Sequence, residues 1–374
     1  MLQERSQPTL LDICRAAGCS KAVASTVINQ ARGNTAVSAQ MRARVLQVAA
    51  DLGYRPNFAS QSLARKSTRT IGVYIPSGPW TGPGFQYEGM VLRGVEEVCR
   101  AQQYDVLILN MGGAVGPQAC QNALAQRRVD GVLLLHVEPG SPWIRPLIQS
   151  GACIVAVDYA HPEPGLSAMV FDNAAAIRLA VEHLAALGHR RIGFLGSCTD
   201  PPSQDAALRQ EAFVTCLRQA GLSLRPQWVH DYTNACRAVG REEGVSMLEG
   251  TFGARHMLGL PPQERPTALI CHGDLVAVHA LQVFHEHRLE LPRQMSLIGV
   301  DDAEMCRHVY PTLTSVRHPL DDMGRRATQI LIRKAEARRV RPATSRLAPA
   351  VQETFAPTLV CRQSTGPAPE SPTP

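Results

Sequence analysis

From residue 71 to about residue 300 the chain alternates between short continuous apolar runs and longer stretches of helical period. The runs are IGVYI (71–75), DVLIL (105–109), GVLLL (131–135), CIVAV (153–157), RIGFLG (191–196), TALIC (267–271) and MSLIGV (295–300). Amphipathic segments at 89–101, 117–127, 173–187, 207–220 and 274–288 separate them. Strands that are apolar on both faces and joined through helices predict parallel sheets covered on each side. The α/β region is too long for one small core, so two doubly wound sheets are expected.

The first 55 residues follow a different pattern. Thr9, with Asp12 three residues on, is placed to cap a helix whose inner face is Ile13, Ala16 and Ala17. Gly18 permits the positive φ of a sharp corner. Ser20 caps a second helix with apolar positions Val23, Ala24, Val27 and Ile28. Ser38 caps a third, running through Val45, Leu46, Val48, Ala49 and Leu52 to Gly53, and Pro56 stops it. The first two are too short to be stable alone. Packed on each other and on the third, they bury their small apolar faces, which is the helix-turn-helix arrangement. Residues 57–70, NFASQSLARKSTRT, read as a linker with one or two helical turns followed by a flexible basic half.

Charge sharpens this division. Residues 1–70 hold ten Lys or Arg against three acids, whereas the remainder holds 28 against 29. The whole net charge of +6 therefore arises in the front module, which suits a polyanion partner, most simply nucleic acid. The eleven cysteines are odd in number and show no CxxC pair; Cys14 and Cys19 lie close but have no zinc-spaced partners. Scattered in apolar runs, they read as reduced thiols of a cytoplasmic protein. No signal peptide is expected, and the longest apolar runs fall short of a membrane span. The tail from about 361, ending in QSTGPAPESPTP, is expected to be disordered.

Taken together, TLLDICRAAGCSKAVASTVIN, GYRPN, SLA, IGV, DGVLLL, VEHLAALGHRRIGFLG, RQEAF, HGDLVA, SLIGVDD and PTLTSVRHP, in this order from residue 9 to about 355, resemble the lactose-repressor (LacI) family of transcription regulators. The resemblance implies a helix-turn-helix headpiece (1–56), a hinge helix and linker (57–70) and a periplasmic-binding-protein-like core (71–360). It also implies a homodimer on near-palindromic operator DNA, and a small effector in the cleft between two subdomains. The expected division is 71–170 with 300–325, and 171–299 with 326–360.

On that resemblance, Lys21, Ala22, Ser25 and Thr26 face the major groove. Lys21 can donate to a guanine edge, and Ala22 can touch a thymine methyl. Ser20, Asn29, Tyr54 and Asn57 are expected phosphate or positioning contacts, with Arg42 beside them. The match implies that Leu63 wedges into the minor groove. Thr26 stands where the family usually has Arg, so a divergent half-site is expected, and Ser60 replaces a common hinge Ala. Effector contacts are expected from Ser77, Phe85, Asp158, Arg209, Asp274, Asp301 and His318, with Trp80 and Tyr87 as further aromatic faces. Gly273 replaces a usual Asn and Tyr159 a usual Arg; Asp172 and Asp302 read as structural caps. A sugar or sugar acid is the first expectation and a nucleobase the second.

Enzymatic motifs are lacking: there is no GxxxxGK[ST], HExxH or GxSxG. His279, His285, Glu286 and His287 read as a solvated helix face rather than a metal site, and no cofactor is expected. The competing reading, a solute-binding protein that never touches DNA, would lack the basic front module.

Overall fold

A computed structural model of the chain describes residues 8–29, 36–76, 81–109, 115–138, 140–160, 163–196, 203–230, 245–340 and 349–370. The headpiece begins with α1 (Leu10–Ala17), α2 (Lys21–Ile28) and α3 (Ala39–Asp51). The Thr9 amide donates to the Asp12 carboxylate at 2.9 Å, and Ser20 and Ser38 accept the amides of Val23 and Met41 at 3.3 and 3.2 Å. Gly18 turns the corner at φ 68°. Ile13, Ala17, Ala24, Val27, Val45 and Ala49 form one small buried cluster, so the three short helices stabilise one another.

A fourth helix, α4 (Phe58–Arg65), buries none of its residues. The linker after it is not loose, contrary to the expectation of a flexible basic half. The Asp130 carboxylate accepts the Thr68 amide at 2.8 Å, the Thr68 hydroxyl at 2.9 Å, the Arg69 amide at 3.0 Å and the Ser67 hydroxyl. Hydroxyls and free amides, read from sequence as solvated, are here the partners of a single carboxylate.

The core then runs β1 (Thr70–Tyr74), α5 (Gln86–Gln102), β2 (Asp105–Leu109), α6 (Val115–Ala125), β3 (Gly131–Leu134), α7 (Ile144–Gln149), β4 (Ile154–Val157) and β5 (Ser167–Phe171). The chain crosses into α8 (Asn173–Ala186), β6 (Ile192–Leu195), α9 (Gln204–Gln219), β7 (Val229–His230), α10 (Val245–Gly259), β8 (Ala268–Cys271), α11 (Asp274–Glu286), β9 (Ser296–Asp301) and β10 (Thr314–Arg317). It returns as α12 (Leu320–Val340) and β11 (Gln352–Phe355), and crosses a third time into β12 (Thr358–Val360). The sheets are ordered β11-β5-β4-β3-β1-β2, wholly parallel, and β12-β10-β9-β8-β6-β7, parallel except for β12. Among the described residues no helix is long and apolar enough to cross a membrane.

Two expectations fail at the C-terminal side. Residues 300–317 stay with the second sheet, while α12 and β11 belong to the first. The reason is a close backbone crossing. A Cβ on Gly94 of α5 would lie 1.9 Å from the Asp321 carbonyl oxygen, and one on Gly324 of α12 would lie 2.3 Å from that of Val91. Only glycines let the two helices approach so closely, and the Arg326–Glu353 pair (2.7 Å) fastens β11 beside them. Nor is the segment from 361 disordered through residue 370. Ser364 is fully buried, with its carbonyl accepting the Leu297 amide at 2.8 Å and its hydroxyl the Thr314 amide at 2.8 Å. His189, also fully buried, lies 3.1 Å from the Gly366 carbonyl. Serine and glycine, uninformative in sequence, satisfy groups at and before the starts of strands of the second sheet here.

Candidate functional site

On the headpiece, burial of Ala24 and Val27 turns the opposite side of α2 outward. Lys21 and Ala22 are exposed, and Ser25 and Thr26 are half-buried at the rim. Arg42 and Arg44 are exposed on α3. Three of the expected contacts are already engaged within the protein. Ser20 and Asn57 spend their side-chain oxygens capping α2 and α4. Asn29 is buried, donating to Ser25 Oγ at 3.2 Å, so its side chain is a helix-end lock rather than an outward contact. Tyr54 packs half-buried against the headpiece cluster. On α4, Leu63 is 76% and Phe58 55% exposed.

The second candidate lies where the carboxyl ends of both sheets face each other, the usual ligand position in doubly wound folds. The first subdomain contributes Tyr87 and Glu88 from the start of α5, His136 after β3, Asp158 after β4 and Phe171 at the end of β5. The second contributes Asn173, Asp205, Arg209 and Asp301, and the crossover strand places His318 between them. His136, Asp158 and Asp301 have φ of 49°, 56° and 118°, a conformation non-glycine residues adopt at a cost and which concentrates at functional sites.

The contacts are dense. Tyr87 donates to Asp158 at 3.1 Å and lies 4.7 Å, ring to ring, from His136, whose Nε2 is 3.1 Å from Glu88. His318 stacks on Phe171 at 3.8 Å, with Nε2 3.6 Å from Asp158 and Nδ1 3.4 Å from Asp301. Arg209 donates to Asn173 at 2.7 Å and to the His272 carbonyl, and lies 3.8 Å from Asp301. Burial, then the Asp158 charge, push the Tyr87 phenol well above its ordinary range and raise Asp205 to about 6. Among the described residues, Glu88 Oε2, Asp301 Oδ1 and both His318 ring nitrogens are buried without a hydrogen-bond partner.

Asp274 does not join this group. Its carboxylate accepts the Ala303 amide at 2.8 Å and the Ser315 hydroxyl at 2.6 Å, and burial followed by the Asp301 charge raises it to about 7. It ties α11 to β10 and to the turn after β9. Phe85 stands 39% exposed just before α5. Ser77 and Trp80 lie outside the described residues.

The sequence profile of the bacterial regulatory proteins of the lacI family matches residues 9–57, and that of a periplasmic-binding-protein-like domain matches residues 181–365. The chain is a member of the LacI family of bacterial regulators. It is 28% identical over 330 residues to the ribose operon repressor of Haemophilus influenzae, covering 87% of this chain and 91% of that one. It is 28% identical over 333 residues to the HTH-type transcriptional repressor PurR of Photobacterium profundum, covering 88% and 92%. Its fold matches that of a lac repressor dimer bound to operator and the anti-inducer ONPF, with TM-score 0.77, 23% identity and coverage of 96% and 100%.

As a LacI-family regulator the chain binds DNA through its headpiece and senses a small effector through its core. It is neither an enzyme nor a solute-binding protein without DNA affinity. Five cleft residues escaped the sequence reading. His136 follows β3 as Asp158 follows β4, Glu88 sits in the first turn of α5, and Phe171 ends β5. Asn173 was hidden because β5 itself was missed. Asp205 sits one turn before Arg209 on the same helix face, a spacing that could have disclosed it. His279 is buried, against the solvated face expected of it, whereas His285, Glu286 and His287 are exposed.

Proposed function

We propose that this LacI-family regulator represses a carbohydrate operon as a dimer, and that its effector is a neutral, hydroxyl-rich sugar held in the cleft. The carrying observation is the set of unsatisfied buried atoms. Glu88 Oε2 and Asp301 Oδ1 are carboxylate oxygens, which only accept hydrogen bonds, and His318 can supply one donor and one acceptor. Such a set asks for a ligand that donates several hydroxyls. Arg209 supports the same choice, since its Nε and Nη1 already donate to Asn173 and the His272 carbonyl. A sugar carboxylate would meet four acidic side chains, Glu88, Asp158, Asp205 and Asp301. A nucleobase would find the Phe171 face already covered by His318.

On the DNA side, Lys21, Ala22, Ser25 and Thr26 read the major groove, and Leu63 from each hinge helix enters the minor groove at the operator centre. Effector binding shifts the balance between two subdomain arrangements, which alters the separation of the two linkers and the hold on DNA.

A thermal-shift screen tests the effector reading. Neutral aldoses and alditols are compared with the aldonic acids of the same skeleton, since a ligand of the folded state raises the melting temperature. At least one neutral sugar is expected to stabilise the protein more than its acid counterpart. Stabilisation by acids or nucleobases alone would overturn the assignment.

A further inference from the structure

Cys14 and Cys19 face each other across the turn between α1 and α2, and neither the reading surface nor the cleft uses them. The Cys19 amide donates to the Cys14 carbonyl at 3.1 Å, closing a six-residue ring around Gly18. That bond pattern brings the side chains of its first and last residues together. Both cysteines pack against the headpiece cluster. Both are half-buried, so small reagents reach them. Of the other described cysteines, Cys99, Cys120, Cys153, Cys216, Cys271 and Cys306 are buried and Cys361 is exposed.

We propose that Cys14 and Cys19 form a dithiol modification site in the DNA-binding module, oxidised by peroxide to a disulfide that weakens DNA binding. Attack at either sulfur leads to the same product as attack at Cys14. The Cys14 thiolate takes one peroxide oxygen, the O–O bond breaks, and one water leaves with the proton. The Cys19 sulfur then attacks the Cys14 sulfenic acid, the S–O bond breaks and a second water leaves. One peroxide is reduced and two thiols become one disulfide.

The geometry gives this bond a consequence. A disulfide draws its sulfurs to about 2.05 Å, well inside a thiol–thiol contact. Cys19 immediately precedes Ser20, whose hydroxyl caps the helix carrying Lys21 and Ala22. Tightening the turn displaces the start of that helix relative to α1 and α3.

The test uses the full-length protein and a duplex selected by the reduced protein from a random-sequence pool. Trypsin cuts after Arg15 and Lys21, so the disulfide joins the peptides of residues 6–15 and 16–21 in a non-reducing digest. The expected result of peroxide treatment is this linked species, about tenfold weaker binding of the duplex, and recovery of both on adding dithiothreitol. Cys19→Ser should retain binding after peroxide, and Cys361→Ser should respond as the parent does. Free thiols at both positions after peroxide, a linked species with unchanged affinity, or loss of the response in Cys361→Ser would each overturn the proposal. The peptide readout stands whether or not a variant folds, and does not depend on the identity of the effector.

Discussion

The rings of His318 and Phe171 lie 3.8 Å apart and only 16° from parallel, with a carboxylate from each subdomain beside the imidazole. The ring sits on the crossover between β10 and α12, so it touches both halves of the core at once. Replacing His318 by Phe keeps the stack and removes both nitrogens. The variant is expected to fold, and to lose most of the thermal shift given by the effector found in the sugar screen. A full shift in His318→Phe would show that the nitrogens do not meet the ligand.

Leu63→Ala tests the hinge. The side chain is 76% exposed, so the melting temperature should hardly change. Affinity for the selected duplex should fall by about tenfold or more, because an apolar wedge offsets the cost of unstacking bases only at a deformable site. Binding to random duplex should stay within about twofold in the same titration. Equal losses on both would refute the wedge.

Asp130→Ala tests the clamp on the linker. Removing a carboxylate that accepts four hydrogen bonds should lower stability by about 1–3 kcal/mol. Limited trypsin digestion should become faster at Arg65, Lys66 and Arg69. An unchanged cleavage rate would mean that the clamp contributes nothing to linker order.

Much of this was legible in the sequence, and the failures have identifiable causes. Continuous apolar runs such as GVLLL mark strands buried on both faces, and all seven were found in place. β10 and β11 were missed because TSVR and QETF carry polar residues at the crossovers and the sheet edge, where period and hydropathy both fade. The return of α12 to the first subdomain depends on Gly94 meeting a backbone carbonyl hundreds of residues away, which no local pattern announces. Asp158, Arg209, Asp301 and His318 were expected and are brought together. Asp274, which looks equivalent to Asp301 as a carboxylate after a strand, is committed to Ala303 and Ser315, a distinction set by tertiary contacts alone.

The acidic cleft predicts an unusual pH dependence. Asp205 releases its proton near 3.8 when unfolded but at about 6 when folded, and Asp274 at about 7. The folded state thus holds these protons more tightly than the unfolded one. The stability they contribute is complete below 3.8 and is lost as the pH rises through the folded values. Asp205→Asn should therefore stabilise the protein, by an increment that grows between about pH 5 and pH 7.5 and reaches on the order of 1 kcal/mol after solvent screening. Thermal melts at the two pH values decide it; an increment that shrinks with pH would contradict the burial argument.

Ending the chain after Cys361 tests the C-terminal strap. Loss of Ser364 leaves the Leu297 and Thr314 amides short of partners inside the second subdomain. A clear fall in melting temperature is expected, reflecting a loss of about 1–3 kcal/mol of stability for each amide left unsatisfied. A chain shortened only by residues 371–374 should melt as the parent does.

Asp130 and His136 occupy opposite ends of one short strand, β3, which runs Gly131–Leu134 with no loop between the clamp and the imidazole beyond it. At about 3.3 Å per residue the two side chains stand some 20 Å apart on a single extended rod. Because the rod is paired with β1 and β4 on its flanks, it resists bending and can only slide or tilt as a unit. Under the proposed reading, a ligand that moves the imidazole acts on the same strand that holds the tether of the headpiece.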